Sequence, residues 1–255
     1  MRRFRAAILA VALASLLASP LHAQQIDKPV SKPGQELGTA VENRIFNRLQ
    51  AAGPTHPNIV KRLDYQPSSH VLVLEKCKGS LLQETTGPLQ MPQMGQRAAW
   101  FSQTRQAMEH LHSQGIVHRD LNTKNVLVRE DGTAAMADFG NAYDFHYANS
   151  KNCMDSYGNA QNLDQASSAE RRDLIKLGYN LLAGGDKAPP PSVTTDSAKA
   201  LLAGLPANEV QRLTPLLQQA FRTYHAQPAA SPEATRKAVA ALGEVLQRLG
   251  KLAAR

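Results

Sequence analysis

The 255 residues, with an apolar share of 42%, suffice for one sizeable core or a two-lobed domain. Two cysteines, Cys77 and Cys153, are too few for a disulfide scaffold and match no metal-binding spacing, and no stretch after residue 23 is long and apolar enough to span a bilayer. The formal charge of +8, about +5 without Arg2, Arg3 and Arg5, is a mild basic bias that attracts nucleotides or acidic partners and singles out neither.

Residues 1–23 have the three parts of a secretory leader: basic Arg2, Arg3 and Arg5, an apolar run over 6–18, and small residues before a cut between Ala23 and Gln24. Export to the periplasm or beyond is expected, with an N-terminal membrane-anchored or buried helix as the alternative. Residues 24–34 are polar, interrupted by Pro29 and Pro33, and carry Lys28 and Lys32. Leu37, Val41, Ile45, Phe46 and Leu49 recur at three- and four-residue steps, which predicts a helix over 36–49 with Glu42 beside its apolar face. His56-Pro57-Asn58-Ile59-Val60 leads towards a strand, Val71-Leu72-Val73-Leu74-Glu75 is a β-rich run, and Lys76-Cys77-Lys78-Gly79-Ser80 follows it. A loop over 87–92 precedes a helix over 96–114, whose face of Trp100, Phe101, Ala107, Met108 and Leu111 ends at Gly115.

The chain then reads His118-Arg119-Asp120-Leu121-Asn122-Thr123-Lys124-Asn125, a Val126-Leu127-Val128 run, and Asp138-Phe139-Gly140. An Asp, an Asn five residues later and a following Asp-Phe-Gly fit H-R-D-x-x-x-x-N plus D-F-G. This text resembles the eukaryotic-type protein kinase superfamily, over roughly 24–250 and most densely over 42–140, and looks like a compact bacterial member of the kind delivered to other cells. The resemblance implies an α+β, two-lobed fold, with a reduced β-rich N-lobe over 24–75 after the leader and a mainly helical C-lobe over 76–255. It implies ATP and Mg²⁺ as cofactors. Asp120 would orient the attacking hydroxyl and take its proton, and Asn125 and Asp138 would give a hard cation its oxygen ligands. Glu42 would pair with a strand lysine, Lys28 or else Lys32. Leu74 would hold the gatekeeper position, and backbone groups from Glu75 to Cys77 would face an adenine ring. Asn122 stands where serine/threonine members have a lysine, and both it and Lys124, two residues on, are further catalytic candidates.

The text also departs from the family. No G-x-G-x-x-G precedes Lys28, since the leader contains no glycine and Gly34 and Gly38 come later. Asn122 brings no charge to the transferring phosphate. Gln161 stands where the family has the glutamate of Ala-Pro-Glu. The polar stretch 141–163, with Tyr143, Tyr147, Ser150, Ser156 and Tyr157, resembles an activation segment, and Asp173, five residues before Gly178, resembles the helix aspartate that anchors the catalytic loop. The two cysteines would be free thiols, one on the hinge and one in that segment. After Pro189-Pro190-Pro191, residues 197–202, 207–225 and 232–252 have helical patterns, resembling an abbreviated lower lobe or a generic helical cap, with no functional candidate. The expected function is phosphoryl transfer from ATP to a protein hydroxyl, serine or threonine before tyrosine, by an exported kinase that meets its nucleotide and unknown substrate in another cell. A pseudokinase acting as a protein-binding module and a small-molecule kinase are the alternatives. No nucleic-acid partner is expected, and no stable membrane span once the leader is removed.

Overall fold

The computed structural model describes residues 25–28, 35–86, 91–146, 162–226 and 230–253, with 25–28, 35–37 and 253 as backbone alone. The leader, Lys32, Cys153, Gln161 and most of the stretch compared with an activation segment lie outside the described residues.

The architecture is α+β, with a small sheet-rich N-terminal part and a helical C-terminal part. Strands β1 (Gln25–Lys28), β2 (Arg62–Gln66) and β3 (Val71–Glu75) form an antiparallel sheet in the order β1-β3-β2. The unbroken apolar run of β3 takes the centre, where Leu72, Val73 and Leu74 are all buried. Helix α1 (Gln35–Ala52) turns Ile45, Phe46 and Leu49 into the core. On its outer face Arg62 of β2 donates to the side-chain oxygens of Asn43, Asn47 (2.7 Å) and Gln50 (2.5 Å), pinning the helix to the sheet.

The His-Pro-Asn-Ile-Val segment does more than lead into β2. Val60 N–H donates to Met136 O (2.9 Å), Met136 N–H to Asn58 O (2.8 Å), and the buried Asn58 amide to Ala134 O (3.0 Å). The upper sheet is thereby bonded to the lower part of the molecule through β7.

Beyond the hinge come β4 (Gly79–Ser80), α2 (Leu81–Thr86), α3 (Met94–Ser113), β5 (Ile116–Val117), β6 (Val126–Val128), β7 (Ala134–Met136), a 3-10 turn (Phe139–Asn141) and β8 (Tyr143–Asp144). Strands β4, β6 and β7 form one antiparallel sheet, β5 and β8 a two-stranded ribbon. Four helices follow: α4 (Leu163–Ala183), α5 (Thr195–Leu201), α6 (Ala207–His225) and α7 (Pro232–Ala253). Helix α4 begins where the Asn162 side chain caps Gln165 N–H (3.0 Å) and ends at Gly184, whose φ of 76° suits a residue without a Cβ.

Helix α7 is a core element rather than a cap. It packs on α3, α4 and α6 and buries Leu242, Val245 and Leu246 completely. Its approach depends on glycine: a Cβ on Gly178 of α4 would lie 2.6 Å from Leu242 and 2.7 Å from Phe101, and one on Gly250 would lie 3.0 Å from Gly95 of α3. Among the described residues, no helix is long and apolar enough to cross a membrane.

Candidate active site

The ribbon β5-β8 delivers His118 to a loop that ends at β6, and the loop is gripped from α4. Glu170 is fully buried; its Oε1 accepts from the N–H groups of His118 (2.7 Å) and Arg119 (3.2 Å), and its Oε2 from His112 Nε2 of α3. Burial pushes the carboxyl up, but the hydrogen bond and charge of His112, with His118 beyond, hold it below the ordinary range. The spacing to Gly178 assigned this anchoring role to Asp173. The residue that receives the loop is Glu170, three positions earlier and fully buried, whereas Asp173 is only half-buried. Arg119 adopts φ 69°, a conformation that a non-glycine residue holds only where its surroundings enforce it.

Asp120 sits between two amides. Asn122 Nδ2 donates to its Oδ1 (2.9 Å) and its carbonyl (3.0 Å), while Asn125 Nδ2 donates to its Oδ2 (3.0 Å) and the same carbonyl (2.9 Å). Asn122 Oδ1 accepts from Lys124 N–H (2.8 Å) and Asn125 N–H (3.3 Å). Asn122 is therefore turned into its own loop and not towards a phosphate. Lys124 is exposed, and its side chain lines the cavity beneath the hinge.

The Asp-Phe-Gly turn is knitted to this loop and to α1. His118 Nε2 donates to Ala137 O (2.7 Å) and its Nδ1 accepts from Asp120 N–H (3.3 Å), which defines the tautomer. Ala137 N–H donates to Asn125 O (2.9 Å). Asp138 has φ 64°, and Phe139 is fully buried between His118 (ring centroids 5.0 Å apart) and Phe46 of α1 (5.4 Å). Glu42, also fully buried, accepts from Phe139 N–H (3.1 Å). Gly38, which fitted no glycine-loop pattern, packs against Gly140: a Cβ on Gly140 would stand 3.6 Å from the Gly38 backbone.

With its Nδ2 turned to Asp120, Asn125 leaves its Oδ1 for another partner, and Asp138 adds a carboxylate. Among the described residues no three His, Cys, Asp or Glu side chains gather to hold a metal. A cation taken by Asn125 and Asp138 would complete its shell with phosphate and water oxygens, the habit of Mg²⁺.

A cavity of about 560 Å³ lies under the hinge, lined by Cys77, Lys78, Ser80, Gln83, Lys124 and Leu127 among others. Its size suits a small ligand. Cys77 is a free, buried thiol that burial, and then the nearby Glu75 carboxylate, push up to about 11. Leu74 is buried in β3, and neither it nor Glu75 belongs to the cavity wall. The N–H of Glu75 is taken up by Lys61 O (2.9 Å), and its carboxylate binds Arg129 at 2.7 and 3.0 Å. Lys28 pairs through its backbone with Leu72, two residues before Leu74, and its side chain lies outside the described residues. A second cavity of about 570 Å³, between α3 and α7, contains none of the motif residues.

The sequence reading missed Glu170 as the anchor, His112 and Arg129. None has a local signal: the first two meet across 58 positions and Arg129 meets Glu75 across 54.

The family described as protein kinase domain matches residues 23–179. The chain belongs to the protein kinase family. Relatives of this kinase domain include sperm motility kinase 3A of Mus musculus, 38% identical over 101 residues, which are 38% of this chain and 20% of the relative. The serine/threonine-protein kinase kin-29 of Caenorhabditis elegans is 38% identical over 89 residues, covering 33% of this chain and 11% of the relative. A probable serine/threonine-protein kinase KIN1 homolog of Encephalitozoon cuniculi is 34% identical over 111 residues, 40% of this chain and 19% of the relative. The kinase chain thus spans a fifth or less of these relatives.

Proposed function

We propose that the chain is an active protein kinase that transfers the terminal phosphoryl group of ATP, with Mg²⁺, to a serine or threonine hydroxyl of a protein. The observation that carries this reading is the unit formed by Glu42, Phe139 and His118, which places Asp138 and α1 against the Asp120 loop in one packed assembly. Asp120 orients the hydroxyl and takes its proton, Asn125 and Asp138 hold the cation, and the cavity under the hinge takes the nucleoside. Bound Mg²⁺ supplies positive charge to the phosphates. The names of two relatives support serine or threonine as the acceptor.

The leader over 1–23 supports export, which places the meeting with ATP and substrate in another cell. A pseudokinase is the second reading, favoured by Asn122 in a lysine's place.

The test is thermal unfolding of the chain with and without MgATP, followed by phosphoryl transfer to a protein acceptor. Nucleotide at a hundred times its Kd should add about 2.7 kcal/mol of stability, and Asp138→Ala should abolish the Mg²⁺-dependent part. Asp120→Ala should cost on the order of 10²–10⁴-fold in turnover. A MgATP shift without any transfer selects the pseudokinase, and no shift at millimolar nucleotide removes the nucleotide site.

A further inference from the structure

A lysine at position 122 would bring a cation, so its replacement by asparagine looks at first like a lost catalytic group. The hydrogen bonds argue otherwise. An amide carries donors and an acceptor at once, and Asn122 uses both ends. Backbone N–H groups can meet only an acceptor, so the bonds from Lys124 and Asn125 identify the Oδ1 end and leave Nδ2 facing Asp120. Asn125 presents its Nδ2 to the other carboxylate oxygen, and each asparagine also holds the Asp120 carbonyl. The carboxylate is clamped on both sides, one amide per oxygen. Each oxygen keeps a second lone pair for a hydroxyl, now in a set direction.

We infer that Asn122 is the positioning residue for Asp120, fixing the rotamer of the base, and not the gap left by a missing lysine. The inference rests on the kinase reading above. Lysine, having three donors and no acceptor, could not receive the Lys124 and Asn125 N–H groups, so the turn and the clamp would be lost together. Aspartate could receive both N–H groups but would donate nothing to Asp120 and would set a like charge beside it. The two substitutions separate the clamp from the turn.

The experiment measures ADP release by the full chain with MgATP and dephosphorylated casein, for the wild type, Asn122→Asp and Asn122→Lys, alongside the MgATP-dependent rise in unfolding midpoint. Both variants should lose kcat on the order of 10²-fold, the scale of a misplaced reacting group, and Asn122→Asp, which keeps the turn, should leave the KM for ATP and the MgATP shift unchanged. An Asn122→Lys variant as fast as the wild type or faster overturns the inference, as does an Asn122→Asp variant with unchanged kcat. Loss of the MgATP shift along with kcat in Asn122→Asp makes Asn122 a folding residue and also overturns it. A wild type that binds MgATP but releases no ADP overturns the active-kinase reading itself, and the clamp's catalytic role with it; a wild type that turns over beside unimpaired variants overturns the clamp alone.

Discussion

A carboxylate sealed from water stays ionised only where donors surround it, and Glu170 has three: two backbone N–H groups of the catalytic loop and the His112 imidazole. Glu170→Ala leaves those donors without an acceptor and should cost about 3–5 kcal/mol of unfolding free energy. Because the folded carboxyl lies below its ordinary 4.5, the stabilisation is present in full above that pH and is lost as pH falls through the folded value. Urea titrations of wild type and Glu170→Gln from pH 7 down to pH 3 should therefore converge in acid. The contrast with Asp120, Asn125 and Asp138 marks how far the site was legible. Those three lie within nineteen positions, on two short turns whose spacing is dictated locally. The anchor is on a helix, where residues at i and i+3 lie on neighbouring parts of one face, so the text alone does not say which turn meets the loop. Asp173 had the family spacing, and Glu170 receives the N–H groups of His118 and Arg119.

At the scale of elements, the long periodic helices were readable and the short pieces were not. The predicted helices over 36–49, 96–114 and 207–225 correspond to α1, α3 and α6. Helix α2 has six residues and β4 two, too few to display a period. Helix α4 was recognised only in its second half, since its first turns mix buried Ser167 and Ser168 with charged residues. Glycines on α4 and α1 test how closely the helices are fitted. Gly178→Ala puts a methyl 2.6 Å from Leu242 and 2.7 Å from Phe101, and overpacking should cost about 1–3 kcal/mol. Gly38→Ala meets Gly140 at an ordinary 3.9 Å and gains about 1 kcal/mol of helix propensity. Its urea midpoint should match or exceed the wild type, while that of Gly178→Ala falls.

Across the whole molecule, Arg129 ties the end of β3 to the β6-β7 hairpin. It donates to Glu75 twice, to Pro57 O (2.8 Å) and to Ile59 O (3.1 Å), and both charged side chains are more than four-fifths buried. Arg129→Met strands the Glu75 carboxylate and should cost about 3–5 kcal/mol, whereas Arg129→Met with Glu75→Gln should recover part of that loss. Chemical denaturation of the two variants measures the difference. Arg129 joins Glu75, where the hinge begins, to the carbonyls on either side of Asn58, so this cluster and the hinge form one attachment, and α1 makes another through Glu42 and Phe46 on Phe139 and Gly38 on Gly140. Any change in how α1 sits would be felt first at the Asp-Phe-Gly turn, much as a lever moves what is pinned to its end.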